Sequence, residues 1–293
     1  MRAEIEEAIQ LLRSEEPHSM EKALALLQQT IFSFSMRVCR QREDAEDTMQ
    51  EVLIKSVPVL SRFESPKALI VWLYKVAKSR CLMSRRKSKF APKQELSLEE
   101  LMPDRKELAQ INHGGGLNPE GFAIRSQEAR WLREAVQKLP PQYRIVLVLH
   151  DMEGLKDDEV AEITGLRTGT VRVRLHRARL FVRKEVANRQ KTVRRGRLEL
   201  KRSETGAEPR ADRCKAMFAE LSNYLDEQLD DSLCEELEKH LNGCEPCKAF
   251  LSSLQNTIEQ CRKSPADCPN AEKSAKLRKQ VMKNYRRIAS LRS

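Results

Sequence analysis

The sequence predicts an all-α protein made of three helical units. Three observations carry this. Apolar residues recur at i, i+3 and i+4 along almost the whole chain, the period of a helix with one buried face. Strand-like runs of Val, Thr and aromatics are nearly absent, with aromatics only 5% of residues. The turn-forming residues, 10 Gly and 12 Pro among 293 residues, gather in stretches that separate the helical runs. A chain of this length suits two or three small domains better than one large core.

The first unit spans 1–88. Residues 44–52, "DAEDTMQEV", place Asp44, Asp47, Gln50 and Glu51 on one polar, mainly acidic helix stripe. In "FESPKALIVWLYKVAKSRCLMSRRKSK", residues 63–89, Trp72, Leu73, Val76 and Ala77 face a core. That leaves Lys75, Lys78, Arg80 and Arg86 available to phosphates. A linker follows over 89–127, where "NHGGGLNPEG" cannot sustain a helix.

The second unit, 128–190, reads as a helix-turn-helix. Val160, Ala161 and Ile163 form the apolar face of a first helix, and Gly165 sits where a tight turn needs positive φ. Thr168 or Thr170 suits the next N-cap. Val171, Leu175, Ala178 and Val182 are the inner face of the second helix. Arg172, Val173, Arg174, His176 and Arg177 are then expected to point outward near its start, where a recognition helix meets base edges and phosphates. Charge agrees: the net is +11 overall, and residues 128–202 hold 19 basic against 10 acidic side chains. Such a surplus favours an anionic partner.

After a second linker, 191–211, comes the third unit, 212–293. In "HLNGCEPC", His240 leaves one helix while Cys244 and Cys247 open another, with Gly243 as a helix stop and Pro246 in a tolerated first-turn position. Three ligands converge, and tetrahedral zinc requires a fourth. Cys214, 26 residues before His240, and Cys234, six before it, are the candidates. Residues 217–238 hold eight acids and neither Lys nor Arg, a solvated face or a surface for the basic units. The last helix carries an apolar stripe of Leu277, Val281, Tyr285 and Ile288, suited to packing on another unit.

The longest apolar run, "ALIVWLY", falls far short of the ~20 residues of a membrane span. The first ten residues, "MRAEIEEAIQ", lack the apolar core of a signal peptide. The expectation is a cytoplasmic protein without membrane partners, whose eight cysteines serve as metal ligands, core thiols or redox sensors rather than structural disulfides. A zinc enzyme is a poor reading: the deaminase pattern wants Glu two residues after its His, and Asn242 stands there.

Taken together, residues 20–190 resemble the extracytoplasmic-function sigma factors of bacterial RNA polymerase. The resemblance implies that 44–52 grips core RNA polymerase and that 63–89 captures the promoter −10 element. It implies that the helix-turn-helix reads the −35 element. Ser79 and Met83 occupy −10-proximal positions where members often carry Asn and Asp. The Cys, then His-x3-Cys-x2-Cys pattern of Cys214, His240, Cys244 and Cys247 resembles the zinc-binding anti-sigma domain, here fused to its target. The implied protein is not an enzyme. It binds promoter DNA, core polymerase and zinc, and its zinc domain docks on its own sigma modules as a metal- or redox-responsive regulator. The alternative is a stand-alone helix-turn-helix regulator with a structural zinc site.

Overall fold

A computed structural model describes residues 3–14, 18–39, 41–60, 63, 65–83, 95–103, 121–195 and 211–289. Every regular element among them is helical, as expected. In chain order these are α1 (Ala3–Arg13), α2 (Ser19–Cys39), α3 (Arg42–Ser56), α4 (Pro66–Met83), α5 (Leu98–Leu101), α6 (Gly121–Lys138), α7 (Pro141–Leu147) with a π-helical continuation Val148–Met152, α8 (Asp157–Thr164), α9 (Thr168–Arg195), α10 (Ala211–Leu225), α11 (Asp231–Gly243), α12 (Glu245–Arg262) and α13 (Ala271–Ala289). Tyr285, Ile288, Met83 and Arg86 have no described side chain.

The helices form two compact units. The first joins Met1–Lys93, Val148–Thr168 and Pro265–Ser293. Its centre is α2, whose Leu24, Leu27, Ile31 and Phe34 are fully or almost fully buried. α1, α3 and α4 pack on it. Phe34 meets Tyr74 of α4 with ring centroids 4.5 Å apart, a tilted geometry that aromatic quadrupoles favour. A disulfide ties Cys39, at the end of α2, to Cys81 in the last turn of α4. This departs from the expected use of the cysteines. The two lie 42 residues apart on different helices, so no local spacing announces the pair.

The first unit also holds the start of the helix-turn-helix. Glu153, which has no side-chain exposure, accepts from Arg37 of α2 at 2.7 Å and from the Tyr74 hydroxyl at 2.6 Å. A buried carboxylate persists only when paired in this way. α8 lies against α4. Gly165 ends it at φ 73°, ψ 28°, its N–H donating to Ala161 O at 2.8 Å. This is the left-handed cap that the sequence called for. Thr168 and Thr170, the two expected caps, are both already helical. α13 packs along α2 and α3. Leu277 and Val281 are buried, Arg278 donates to Gln28 at 2.9 Å, and Lys273 meets Glu46 at 2.6 Å.

The second unit joins Gln94–Leu147 and Gly169–Ser264. α6 begins at Gly121, so the end of the stretch expected as linker is helical. Lys138 of α6 meets Glu185 of α9 at 2.5 Å. α10, α11 and α12 share a core of Phe218, Leu221, Leu237, Leu241, Phe250, Leu254 and Ile258, closed on one side by Leu180 of α9. Phe218 and Phe250 meet edge to face at 4.6 Å. Asp230 caps α11 by accepting from Leu233 N at 2.9 Å. α11 stops at Gly243 without left-handed backbone there; extended Cys244 (φ −137°, ψ 92°) makes the corner. Pro246 falls in the first turn of α12.

Candidate metal centre, nucleic-acid face and polymerase face

The corner between α11 and α12 brings His240, Cys244 and Cys247 together, and the first turn of α10 adds Cys214. One ligand atom from each lies within 4.8 Å of the others. His240 Nε2 is 3.2 Å from Cys247 Sγ, which is 3.5 Å from Cys214 Sγ. Zinc–sulfur bonds of ~2.3 Å place tetrahedral ligand atoms roughly 3.5–3.8 Å apart, so this donor set fits zinc with little movement. Cys214 and Cys247 are buried, while His240 and Cys244 are partly exposed. Burial pushes both the Cys214 and Cys247 thiols up, aided at Cys247 by hydrogen bonds with Cys244 and Cys214. Without a cation these sulfurs stay protonated; a metal must displace the protons. The competing candidate, Cys234, is outside the cluster.

The recognition helix α9 has two faces in use. Val171, Leu175, Ala178 and Val182 are buried, as the spacing required. Val173 is 52% exposed and Arg172 is exposed, with Arg174 and Arg177 at intermediate exposure. His176 departs from the outward expectation. It is 7% exposed, and its Nδ1 lies 2.8 Å from the Ser222 hydroxyl of α10. One and two turns further along that side, Arg179 forks onto Asp226 (2.6 and 2.9 Å), and Arg183 lies 3.8 Å over the Phe250 ring. Arg179 has no side-chain exposure and Asp226 only 9%. The physical reason is the helical period: residues 176, 179 and 183 share a face that meets α10 and α12. Burial, with Arg179 and Arg177 nearby, drives the His176 imidazole down to about 4.

On α4, Lys75 meets Glu162 of α8 at 2.8 Å, and Lys78 donates to Ile163 O at 2.6 Å. Burial, then the neighbouring Lys75 charge, lowers the Lys78 pKa. Ser79 is exposed, and Arg80 pairs with Glu51. Arg86 lies outside the described residues, and Met83 has only its backbone described. On α3, Asp47 and Gln50 are exposed, and Asp44 and Glu51 are half-buried. Glu51 also meets Lys55 at 2.6 Å. Sequence reasoning missed Ile54, 38% exposed and seven residues after Asp47, hence on the same face. The signal was there: an isoleucine at a position that the buried run Ala45, Met49, Val52, Ser56 leaves on the outside.

Known families overlie these elements in the same order. Residues 24–90 match sigma-70 region 2, residues 129–182 match sigma-70 region 4, and residues 214–248 match a putative zinc finger. The ECF RNA polymerase sigma factor SigW of Bacillus subtilis is 28% identical over 156 residues, 53% of this chain and 82% of SigW. The RNA polymerase sigma factor YlaC of the same organism is 28% identical over 168 residues, 57% of this chain and 92% of YlaC. The ECF RNA polymerase sigma factor SigE of Mycolicibacterium smegmatis is 29% identical over 158 residues, 54% of this chain and 57% of SigE. The region 2 match removes the stand-alone helix-turn-helix reading, since that reading leaves α2 to α4 unexplained. No helix among the described residues is long and apolar enough to cross a membrane. The chain belongs to the extracytoplasmic-function group of the sigma-70 family, non-enzymatic factors that direct RNA polymerase to promoters, and carries an anti-sigma-like zinc-finger domain at its C-terminal end.

Proposed function

We propose that this sigma factor is held shut in cis by its own C-terminal segment. α10 to α12, organised by one zinc ion on Cys214, His240, Cys244 and Cys247, cover one side of the −35-reading helix. α13 lies along α2 and the Glu46 flank of α3, beside the polymerase face. The observation that carries the reading is the buried Arg179–Asp226 fork, in which a carboxylate occupies a recognition-helix arginine as a phosphate would. When released, Arg172, Val173, Arg174, His176 and Arg177 read the −35 element, with Val173 suited to a thymine methyl. Lys75, Lys78, Ser79, Arg80, Met83 and Arg86 serve the −10 element. Asp44, Asp47, Gln50 and Glu51, with Ile54, meet core polymerase. The work is cytoplasmic, where polymerase and promoter are.

Tethering supports the reading energetically. A linked partner acts at an effective concentration that reaches the millimolar range, so weak docking suffices. The test compares the full chain with a truncation after Ala207 in transcription by purified polymerase, with zinc and with a chelator. Higher promoter-dependent activity from the truncation is expected. Equal activity under every metal condition ends the regulatory reading.

A further inference from the structure

We propose that His176 is a proton-operated latch: acidification loosens the α10–α12 module from the recognition helix while zinc is still bound. The inference rests on the docking read above and adds the signal that releases it. The geometry carries it. The ring is buried between α9 and α10, Nδ1 lies 2.8 Å from Ser222 Oγ, and Nε2 is buried with no hydrogen-bond partner. A neutral ring fits: Nδ1–H donates to the hydroxyl, and Nε2 keeps a lone pair, the less costly group to leave unmet. A protonated ring must bury a second N–H with no acceptor and a charge with no counter-ion. The charged neighbours on α9, Arg177 and Arg179, are both positive. The only acid on the α10 side that engages this face among the contacts described, Asp226, is already committed to Arg179, with Arg262 of α12 at 4.0 Å. No carboxylate is thus available to welcome the imidazolium.

The sign follows from linkage. In the docked state the imidazole stays neutral down to about 4, whereas on a released, solvated helix it titrates near ~6.5. Docking is therefore fully favourable above about 6.5 and weakens roughly tenfold per pH unit below it, a loss that ends near 4. Between pH 7.5 and 5.5 the open fraction rises about tenfold.

Zinc-loaded full-length protein and its His176→Gln variant are compared by hydrogen–deuterium exchange of the peptide covering 217–229, at pH 7.5, 6.5 and 5.5. Exchange times are scaled for intrinsic rates, and zinc content is assayed in each sample. Glutamine keeps a hydrogen bond to Ser222 but cannot titrate. The expected result is about tenfold more opening in wild type from pH 7.5 to 5.5 with zinc retained, and no such change in the variant. A rise of equal size in both proteins, or one that tracks zinc release, overturns the latch. So does a flat wild-type profile. Absence of protection at pH 7.5 instead removes the docking itself. NMR titration of the His176 ring in wild type is a second measure, independent of the variant's folding: titration near 6.5 in the docked chain overturns the proposal.

Discussion

Arg179 is fully buried, its guanidinium forked onto Asp226. Truncating the acid leaves a buried cation without its fork partner, a change that typically costs ~3–5 kcal/mol. Asp226→Ala is accordingly expected to weaken the hold of α10 to α12 on α9 by several kcal/mol, seen as a lower denaturant midpoint for the unit. Asp226→Asn, which keeps hydrogen bonds but not charge, falls between Ala and wild type. The basic, helical character of α9 was legible from spacing alone. Which of its cations are buried was not, because burial is set by Ser222, Asp226 and Phe250, more than forty residues downstream. His176 was misplaced for the same reason: polarity near a recognition-helix start signals an outward side chain until a second surface covers it.

At the scale of elements, the metal corner was the most legible part of the molecule. Ligand spacing around a helix stop is local information, and it located Cys244, Cys247 and His240 before any packing was known. Cys214 required the family resemblance, since nothing local separates it from Cys234. The corner joins α11 to α12 and draws in α10 through one sulfur, so a metal bound there would support the same three helices as the apolar core. Two predictions separate their shares. Cys244→Ser is expected to lower zinc affinity by orders of magnitude and to make the module's helical signal sensitive to chelator, measured by metal titration and circular dichroism. Phe250→Ala removes a ring with no exposure that meets both Phe218 and Arg183. It is expected to cost ~3–5 kcal/mol of stability while the zinc stoichiometry stays at one.

Across the whole molecule, the division between the two compact units runs through the helix-turn-helix: α8 falls in the first and α9 in the second. Each half meets a different surface, and on the proposed reading each is held by it. In the first unit, Glu153 is locked by Arg37 and Tyr74, while Lys75 and Lys78 of α4 are occupied by Glu162 and Ile163 O. In the second, Arg179 and Arg183 are occupied by Asp226 and Phe250. The exposed pairs, such as Lys75–Glu162, contribute only ~0–1 kcal/mol each, so the buried Glu153 lock dominates the first hold. The first hold was not legible in the sequence; the second was one of two readings of the acidic run 217–238, which holds Asp226, but its partners Arg179 and Arg183 were not, because they read as ordinary solvated charge. If the holds are separate, they release separately. Glu153→Gln keeps the size of the side chain and removes the charge opposite Arg37. It is expected to raise affinity for a single-stranded −10 oligonucleotide several-fold and to leave binding of a −35 duplex unchanged. Asp226→Asn is expected to do the reverse. Freed cations also leave a signature: each additional phosphate contact steepens the fall of log K with log salt by ~0.9 on duplex and ~0.7 on a single strand. Fluorescence anisotropy across a salt series reads affinity and slope together. Parallel gains on both DNAs from either substitution would mean that the two halves open as one body, and the separate-hold account would be wrong.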